Sequence, residues 1–272
     1  MIIEPDPDDL DCAEVMVDGA IAGRPYRFML DTGAARTQIV ADEVTAALPS
    51  RGQHSSSGVF AAGANPLVQI CDLAVGPLTA PVIEVQRASA GQPGARNLLG
   101  MDVLRQRCCH FRFDVGELLL EPSPAVEADR ALQMDESGHA YVDVEFPGAT
   151  ARACWDSGAG ITIVDQAFQL RHPDLFERSG TSAGVDATGT QVQTAIFLMA
   201  APTIGGARFR RHKVAVVDLS QPNSTLDRPM DLILGYPTLR QANWLFDFPA
   251  RRWTLTRLPG MPGDRPSPAG RP

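Results

Sequence analysis

Asp31 and Asp156 stand in two runs of the same make, Phe28-Met29-Leu30-Asp31-Thr32-Gly33-Ala34 and Ala153-Cys154-Trp155-Asp156-Ser157-Gly158-Ala159. Each sets one acid behind an apolar stretch and ahead of a hydroxyl residue, a glycine and an alanine. One such run also describes an ordinary turn, in which Asp caps backbone donors and Gly supplies a positive φ. Two runs suggest a carboxylate offered to a shared site from each of two units. Carboxyls held about 3 Å apart cannot both ionise, so one keeps its proton while the other is an anion. Such a pair hydrolyses without metal or covalent intermediate: the acid polarises a carbonyl and the anion takes a proton from water. The proton belongs to the pair, and neither Asp31 nor Asp156 is assigned it.

A single short unit cannot supply both acids, so the elements around them were compared by sliding the chain on itself. At the offset of 125 set by the two acids, Val17 meets Val142, Asp18 meets Asp143, Gly23 meets Gly148, Arg27 meets Arg152 and Thr37 meets Thr162. Further on, Leu98-Leu99-Gly100 matches Ile233-Leu234-Gly235, and Leu104-Arg105-Gln106 matches Leu239-Arg240-Gln241. Phe111 and Phe113 likewise fall on Phe246 and Phe248, at an offset that has grown to 135. The sequence reads as a duplication. Strands are expected over 12–18 and 26–31, over 140–146 and 151–156, and over 110–114, 118–121, 244–248 and 253–257. Helices are expected over 42–48, 165–170, 101–107 and 237–243, the last opening with Pro237 where its missing N–H costs nothing. Two stretches read as connections: 123–137 between the halves, and a Pro- and Gly-rich tail from 258 to 272 expected to lack order.

The paired acidic runs and the later apolar-apolar-glycine triplets resemble those of the aspartic peptidases, the pepsin and retropepsin group. The likeness covers about residues 12–122 and 138–257. The single chain looks like pepsin; the short lobes and the alanines after Gly33 and Gly158 look more like retropepsins, which build one site from two identical subunits. The resemblance implies an all-β fold (mainly β with short helices) of two homologous lobes, 1–122 and 138–257, related by a pseudo-two-fold axis with the active site between them. It implies an aspartic-type endopeptidase that needs no cofactor and no metal and takes a peptide or protein substrate.

It also implies roles for the neighbours. Thr32 and Ser157 should bridge to the opposite lobe. Gly33 and Gly158 should let the backbone approach the partner carboxylate, where a Cβ would collide, and Gly100 and Gly235 should lie under the two loops. Ala34 and Ala159 stand where pepsin-like sites usually place a hydroxyl donor. Losing a donor to a charged carboxylate raises its pKa, so the pair should work best between mildly acidic and near-neutral pH. Gly58 to Gly63 and Gly184 to Gly189 read as two flap tips, with Phe60 and Gly63 in one, and Asp186 and Thr188 in the other. Phe60 replaces the tyrosine of pepsins and is as good a core residue as a cleft residue. Arg36 departs from the acid common in retropepsins: it either favours acidic substrate side chains or pairs with a nearby carboxylate. Trp155 either packs in the second core or lines the cleft.

The remaining composition limits the alternatives. The 272 residues suit two lobes of ordinary size, and the net charge of −8 argues against nucleic acid as a partner. No apolar run is long enough for a membrane helix, and the acidic start lacks the pattern of a secretory signal. The five cysteines, Cys12, Cys71, Cys108, Cys109 and Cys154, form an odd set. The Cys108-Cys109-His110 run would point its side chains to opposite faces of a strand, a poor joint ligand set. Reduced, mostly buried thiols in a cytoplasmic, monomeric protein are the plainer reading. His54, His110, His139, His172 and His212 sit in no serine- or cysteine-peptidase context, and no Gly-x-Ser-x-Gly, His-Glu-x-x-His or phosphate-cradling loop occurs. Two other readings stay open: a peptide-binding module of the same fold without turnover, and a metal-dependent hydrolase using both acids as ligands, for which no further ligand is evident.

Overall fold

The computed structural model describes residues 1–57, 62–92, 94–185 and 191–258. Alternation of apolar and polar side chains builds its strands. Along Ala140–Phe146, Val142, Val144 and Phe146 are buried while Asp143 and Glu145 face solvent, the period of two that a half-covered strand requires. Ala13–Ile21 does the same with Val15 and Val17. Each of these strands turns back on its successor. Ala13–Ile21 pairs antiparallel with Arg24–Leu30, and Ala140–Phe146 with Ala149–Trp155. The second strand of each hairpin ends one residue before an acid.

Among the described residues the strands form three sheets. An eight-stranded sheet holds the first half, and a ten-stranded sheet holds most of the second. In each, the strand leading to the acid is paired in parallel with the apolar triplet far downstream. Leu30 lies beside Leu99, and Trp155 beside Leu234. The third, five-stranded sheet belongs to both halves: Cys108–Arg112 pairs antiparallel with Asn243–Asp247, flanked by Glu117–Glu121 and Arg252–Arg257. His110 faces Leu245 in that register, so the two matched segments meet at their own equivalent residues. The local two-fold axis relating the lobes runs through this pair. We propose lobe limits of 1–122 and 138–257, with the shared sheet closing both.

Two expectations need correction. The stretch 42–48 is a capped turn instead of a helix. Asp42 accepts from the backbone N–H groups of Val44 and Thr45, from the Thr45 hydroxyl and from Tyr26 Oη. An acid that satisfies so many local donors competes with the helical pattern, and Pro49 follows. The connection 123–137 is also not bare chain. Arg130–Ala131 adds an edge strand beside Arg252–Arg257, Gln133–Met134 pairs with Ala140–Phe146, and Ala128 and Leu132 are buried. The other expected helices are present as Gln166–Arg171, Met101–Leu104 and Tyr236–Leu239, the last two ending short of the expected 107 and 243, and Ser220–Asn223 adds one that was not expected. The tail beyond Leu258 lies outside the described residues.

The core is continuous beneath both acids. Trp155 packs there and not in the cleft. It is fully buried, with ring centroids 4.6 Å from Phe111 and 4.8 Å from Phe246, both on the shared sheet. The residue before one acid thus rests on the seam between lobes. Trp155→Ala is expected to lower unfolding stability by about 3–5 kcal/mol, the usual cost of emptying a large aromatic site. Urea denaturation measures this, and a loss below about 1 kcal/mol would mean the seam does not depend on that ring.

Candidate active site

Each acid sits on a tight loop between its strand and the next. Asp31 N–H donates to Leu99 O at 3.0 Å and Asp156 N–H to Leu234 O at 3.1 Å, so both loops hang from the parallel triplets. Met101 N–H and Tyr236 N–H then close on Ala34 O and Ala159 O at 2.8 and 2.9 Å. Gly100 and Gly235 lie under these loops, the place the family resemblance implies for them. A Cβ on Gly100 would fall 2.5 Å from the Arg36 carbonyl carbon, and one on Gly235 would overlap Ile161 and approach Ala159 O to 2.6 Å. Real Cβ contacts do not come that close. Thr37 and Thr162 receive the amides of Gly100 and Gly235 at 3.1 Å each. Beneath them the lobes differ: the Thr37 hydroxyl donates to Asp102, whereas Thr162 is hydrogen-bonded to Thr238, which in turn meets His212.

The loops are locked to each other by Thr32 and Ser157, both buried. Thr32 Oγ1 donates to Trp155 O at 2.9 Å and accepts from Ser157 N at 3.0 Å. Ser157 Oγ donates to Leu30 O at 2.7 Å and accepts from Thr32 N at 3.2 Å. Every bond has its counterpart in the other lobe.

This lock brings the carboxyls together. Gly33 N–H donates to Oδ1 of its own Asp31 at 3.0 Å and to Oδ1 of Asp156 at 3.1 Å, and Gly158 N–H donates to Asp156 Oδ1 at 2.8 Å. A Cβ on Gly33 would overlap the Asp156 carboxyl, and one on Gly158 would lie 2.5 Å from Asp31 Cγ. Asp31 is buried, and burial together with the charge of Asp156 pushes it well above the ordinary carboxyl range. Asp156 is raised too, chiefly by burial, against the amides of Gly158 and Gly33, the positive charge of His139 and a hydrogen bond with Asp31. A pair so placed holds one proton in common into the neutral range. The amides of Gly33, Ala34 and Gly158 are the donors that oppose this rise; Ala34 and Ala159 bring no hydroxyl.

A cleft of about 1900 Å³ opens over the pair and runs between the lobes. Gly63 and Arg36 line it. Arg36 also reaches Glu84 at 3.6 Å, so this cation at the cleft edge is already partnered. The two hairpins read as flaps are present as Ser50–Ser57 with Ala62–Val75 and Phe176–Val185 with Gln191–Met199. Their tips, with Phe60, Asp186 and Thr188, lie outside the described residues. Among the described residues no three His, Cys, Asp or Glu side chains converge as metal ligands do.

Sequence reasoning passed over Asp135 and His139, which also line the cleft. Asp135 Oδ2 meets His139 Nδ1 at 2.8 Å and accepts from Tyr141 Oη at 2.8 Å. The signal was present as an acid four residues before a histidine, but it straddled the boundary between the connection 123–137 and the second lobe.

Comparison with known proteins agrees with this geometry. Residues 17–106 match the family described as gag-polyprotein putative aspartyl protease, a retropepsin-like family. Among solved structures, the chain is similar to conglutin gamma, a basic 7S globulin from lupine seeds. The TM-score is 0.53, with 10% identity over 93% of each chain. At that identity the likeness is one of fold, and it spans both lobes. No curated protein matched. The chain resembles the pepsin and retropepsin group of aspartic peptidases in both its first-lobe sequence and its two-lobed fold.

Thr32→Ala strips the lock of a buried donor and acceptor, leaving Trp155 O and Ser157 N without partners. Each buried polar group so orphaned costs about 1–3 kcal/mol. Thr32→Ser should recover most of the loss. Denaturant midpoints for the two variants check this, and equal losses in both would assign the effect to the methyl group instead of the hydroxyl.

Proposed function

We propose that the protein is an aspartic-type endopeptidase in which Asp31 and Asp156 activate a water against the peptide bond of a bound chain. The observation that carries this reading is the Gly33 amide donating to both carboxyls at once, which fixes the acids as one unit. The matched aspartyl protease family supports it. With one proton shared, the protonated carboxyl hydrogen-bonds the scissile carbonyl oxygen while the anion removes a proton from water as it attacks carbon. The tetrahedral intermediate collapses when a carboxyl gives its proton to the leaving nitrogen, and the pair is again singly ionised. Thr32 and Ser157 hold the loops together, and the cleft of about 1900 Å³ has room for a peptide. Gly63 and Arg36 would contact that peptide from the first lobe, with Phe60, Asp186 and Thr188 as partners from the flap tips.

Both acids come from one chain, so we propose a working monomer. The five free thiols support a reducing, cytoplasmic setting. A net charge of −8 speaks against nucleic acid, and no helix among the described residues is long and apolar enough to cross a membrane. A binding role without turnover is the competing reading, since a protein described as a seed globulin shares the fold and fold alone carries no activity.

The test is digestion of a denatured protein mixture by wild type and Asp31→Asn, with fragments mapped by mass spectrometry. Wild type should cleave, insensitive to chelator and blocked by a pepstatin-like inhibitor, and Asp31→Asn should lose at least about a thousandfold in kcat/KM while staying folded. Peptide binding without fragments would favour the binding module. The pH profile follows from the raised pair. The active form carries one proton, so activity falls below the lower pKa and above the upper one, and raising both moves the window upward. The maximum should lie at mildly acidic to near-neutral pH; one near about pH 2–3 would contradict the burial of the acids.

A further inference from the structure

The hairpin between Gln133–Met134 and Ala140–Phe146 brings a histidine to one side of the carboxyl pair. Its turn is held by the Asp135 side chain, whose Oδ1 accepts from His139 N at 2.9 Å and whose Oδ2 meets both His139 Nδ1 and Tyr141 Oη. With Nδ1 occupied by Asp135, Nε2 is the ring nitrogen left to face the Gly33 backbone. Gly33 is the residue whose amide bridges the two carboxyls. His139 therefore shares the cleft with the loop that places the pair, and its charge acts on both Asp31 and Asp156.

The opposite lobe lacks this arrangement. At the repeat offset, position 139 corresponds to Glu14, which is ion-paired with Arg96 at the far side of the cleft. The two lobes therefore differ at this position: a histidine bound to Asp135 in one, an acid bound to Arg96 in the other.

We propose that His139, held by Asp135, is the positioning residue of the site: as an imidazolium it faces the Gly33 loop and favours the singly ionised state of the pair. This rests on the peptidase reading above. The groups facing the ring agree with it. Asp135 and Glu136 share its hairpin; Tyr141 hydrogen-bonds Asp135, and Arg152 stacks on Tyr141 with its guanidinium 3.4 Å from the ring centroid. Cys154 lines the same cleft wall, and Arg105 approaches the neighbouring Gly138 from the end of the Met101–Leu104 helix. Burial disfavours the imidazolium, but the hydrogen bond and charge of Asp135, with the charge of Asp156, outweigh it and raise the ring above the ordinary histidine value. Asp135 is itself held at about 2: burial pushes it up, and the bonds from His139 and Tyr141 together with the His139 charge overcome that.

Two measurements on the full chain test this, one independent of turnover. Nuclear magnetic resonance follows the His139 ring, assigned by its absence in His139→Gln, in wild type, Asp135→Asn and the double variant Asp31→Asn/Asp156→Asn. The wild-type ring should titrate above the other histidines. Removing either set of anions should lower its midpoint by about one unit, a tenfold change in proton affinity. A midpoint unmoved in the double variant overturns the proposal. In cleavage assays, His139→Gln keeps a hydrogen-bonding group near Gly33 but loses the cation. Both acids then hold protons more tightly, so the acid limb of kcat/KM should move up by about one unit. A lowered rate with an unshifted limb also overturns it. Coupled titration in a chain that cleaves nothing would uphold the link between ring and pair and sink the peptidase reading. Cleavage that requires Asp31 without such coupling would do the reverse.

Discussion

Two carboxyls buried in one pocket repel whenever both are charged, and nothing in the sheets alone would keep their loops from parting. The reciprocal Thr32–Ser157 bonds oppose that separation. They join backbone to side chain, and they tie each loop to the strand end of the other lobe, through Trp155 O and Leu30 O. Because the two hydroxyls are buried, parting the loops would strand them and the four backbone groups they engage, a penalty that exceeds the net worth of the bonds when made. The glycines complete the constraint by removing the only atoms that would stand between the acids.

That lock needs a rigid floor. The five-stranded sheet supplies it by pairing Cys108–Arg112 with Asn243–Asp247 directly across the local axis. Its apolar face carries Phe111, Trp244 and Phe246 against Trp155, all fully buried. The carboxyl of Asp156 therefore sits one residue above an aromatic cluster drawn from both lobes. Slippage of one lobe against the other would have to disturb close-packed rings and a continuous hydrogen-bonded ladder together, and interiors of this density resist such motion. The cleft above is free to admit a chain while the floor stays fixed.

Much of this could be read before any coordinates. Asp31 and Asp156 were visible because the same acidic run recurs in both halves, and Gly100 and Gly235 because the apolar triplet that ends in glycine recurs with it. The hairpins were visible from alternation, as in Val142, Val144 and Phe146 around Asp143 and Glu145. Where side chains compete with the backbone, pattern failed: Asp42 draws its own donors and stops a helix that the following apolar residues imply. Contacts between segments distant in sequence were also illegible. Nothing local announces that Arg130–Ala131 will border Arg252–Arg257, or that a turn in an apparently polar connection will place His139 against Gly33. A pairing of Asp135 with His139 four residues apart is commonplace on surfaces, and only the fold turns it toward the acids.

The placement of His139 also gives a reason for one chain to carry both lobes. A site made from two identical subunits, as the resemblance to retropepsins describes, must present each acid with the same surroundings. A histidine bound to an acid on one side would be matched by another on the other side, and both acids of the pair would feel the same field. In a single chain the two positions can differ. Glu14 is tied to Arg96 in the first lobe while His139 faces the pair from the second. The local symmetry is then kept where rigidity needs it, in Thr32 and Ser157 and in the shared sheet, and is given up at the rim where charge is set. Geometry in this fold asks for two equal halves; a pair that shares one proton is electrically unequal at every instant, and only a chain with unequal halves can favour one of its states.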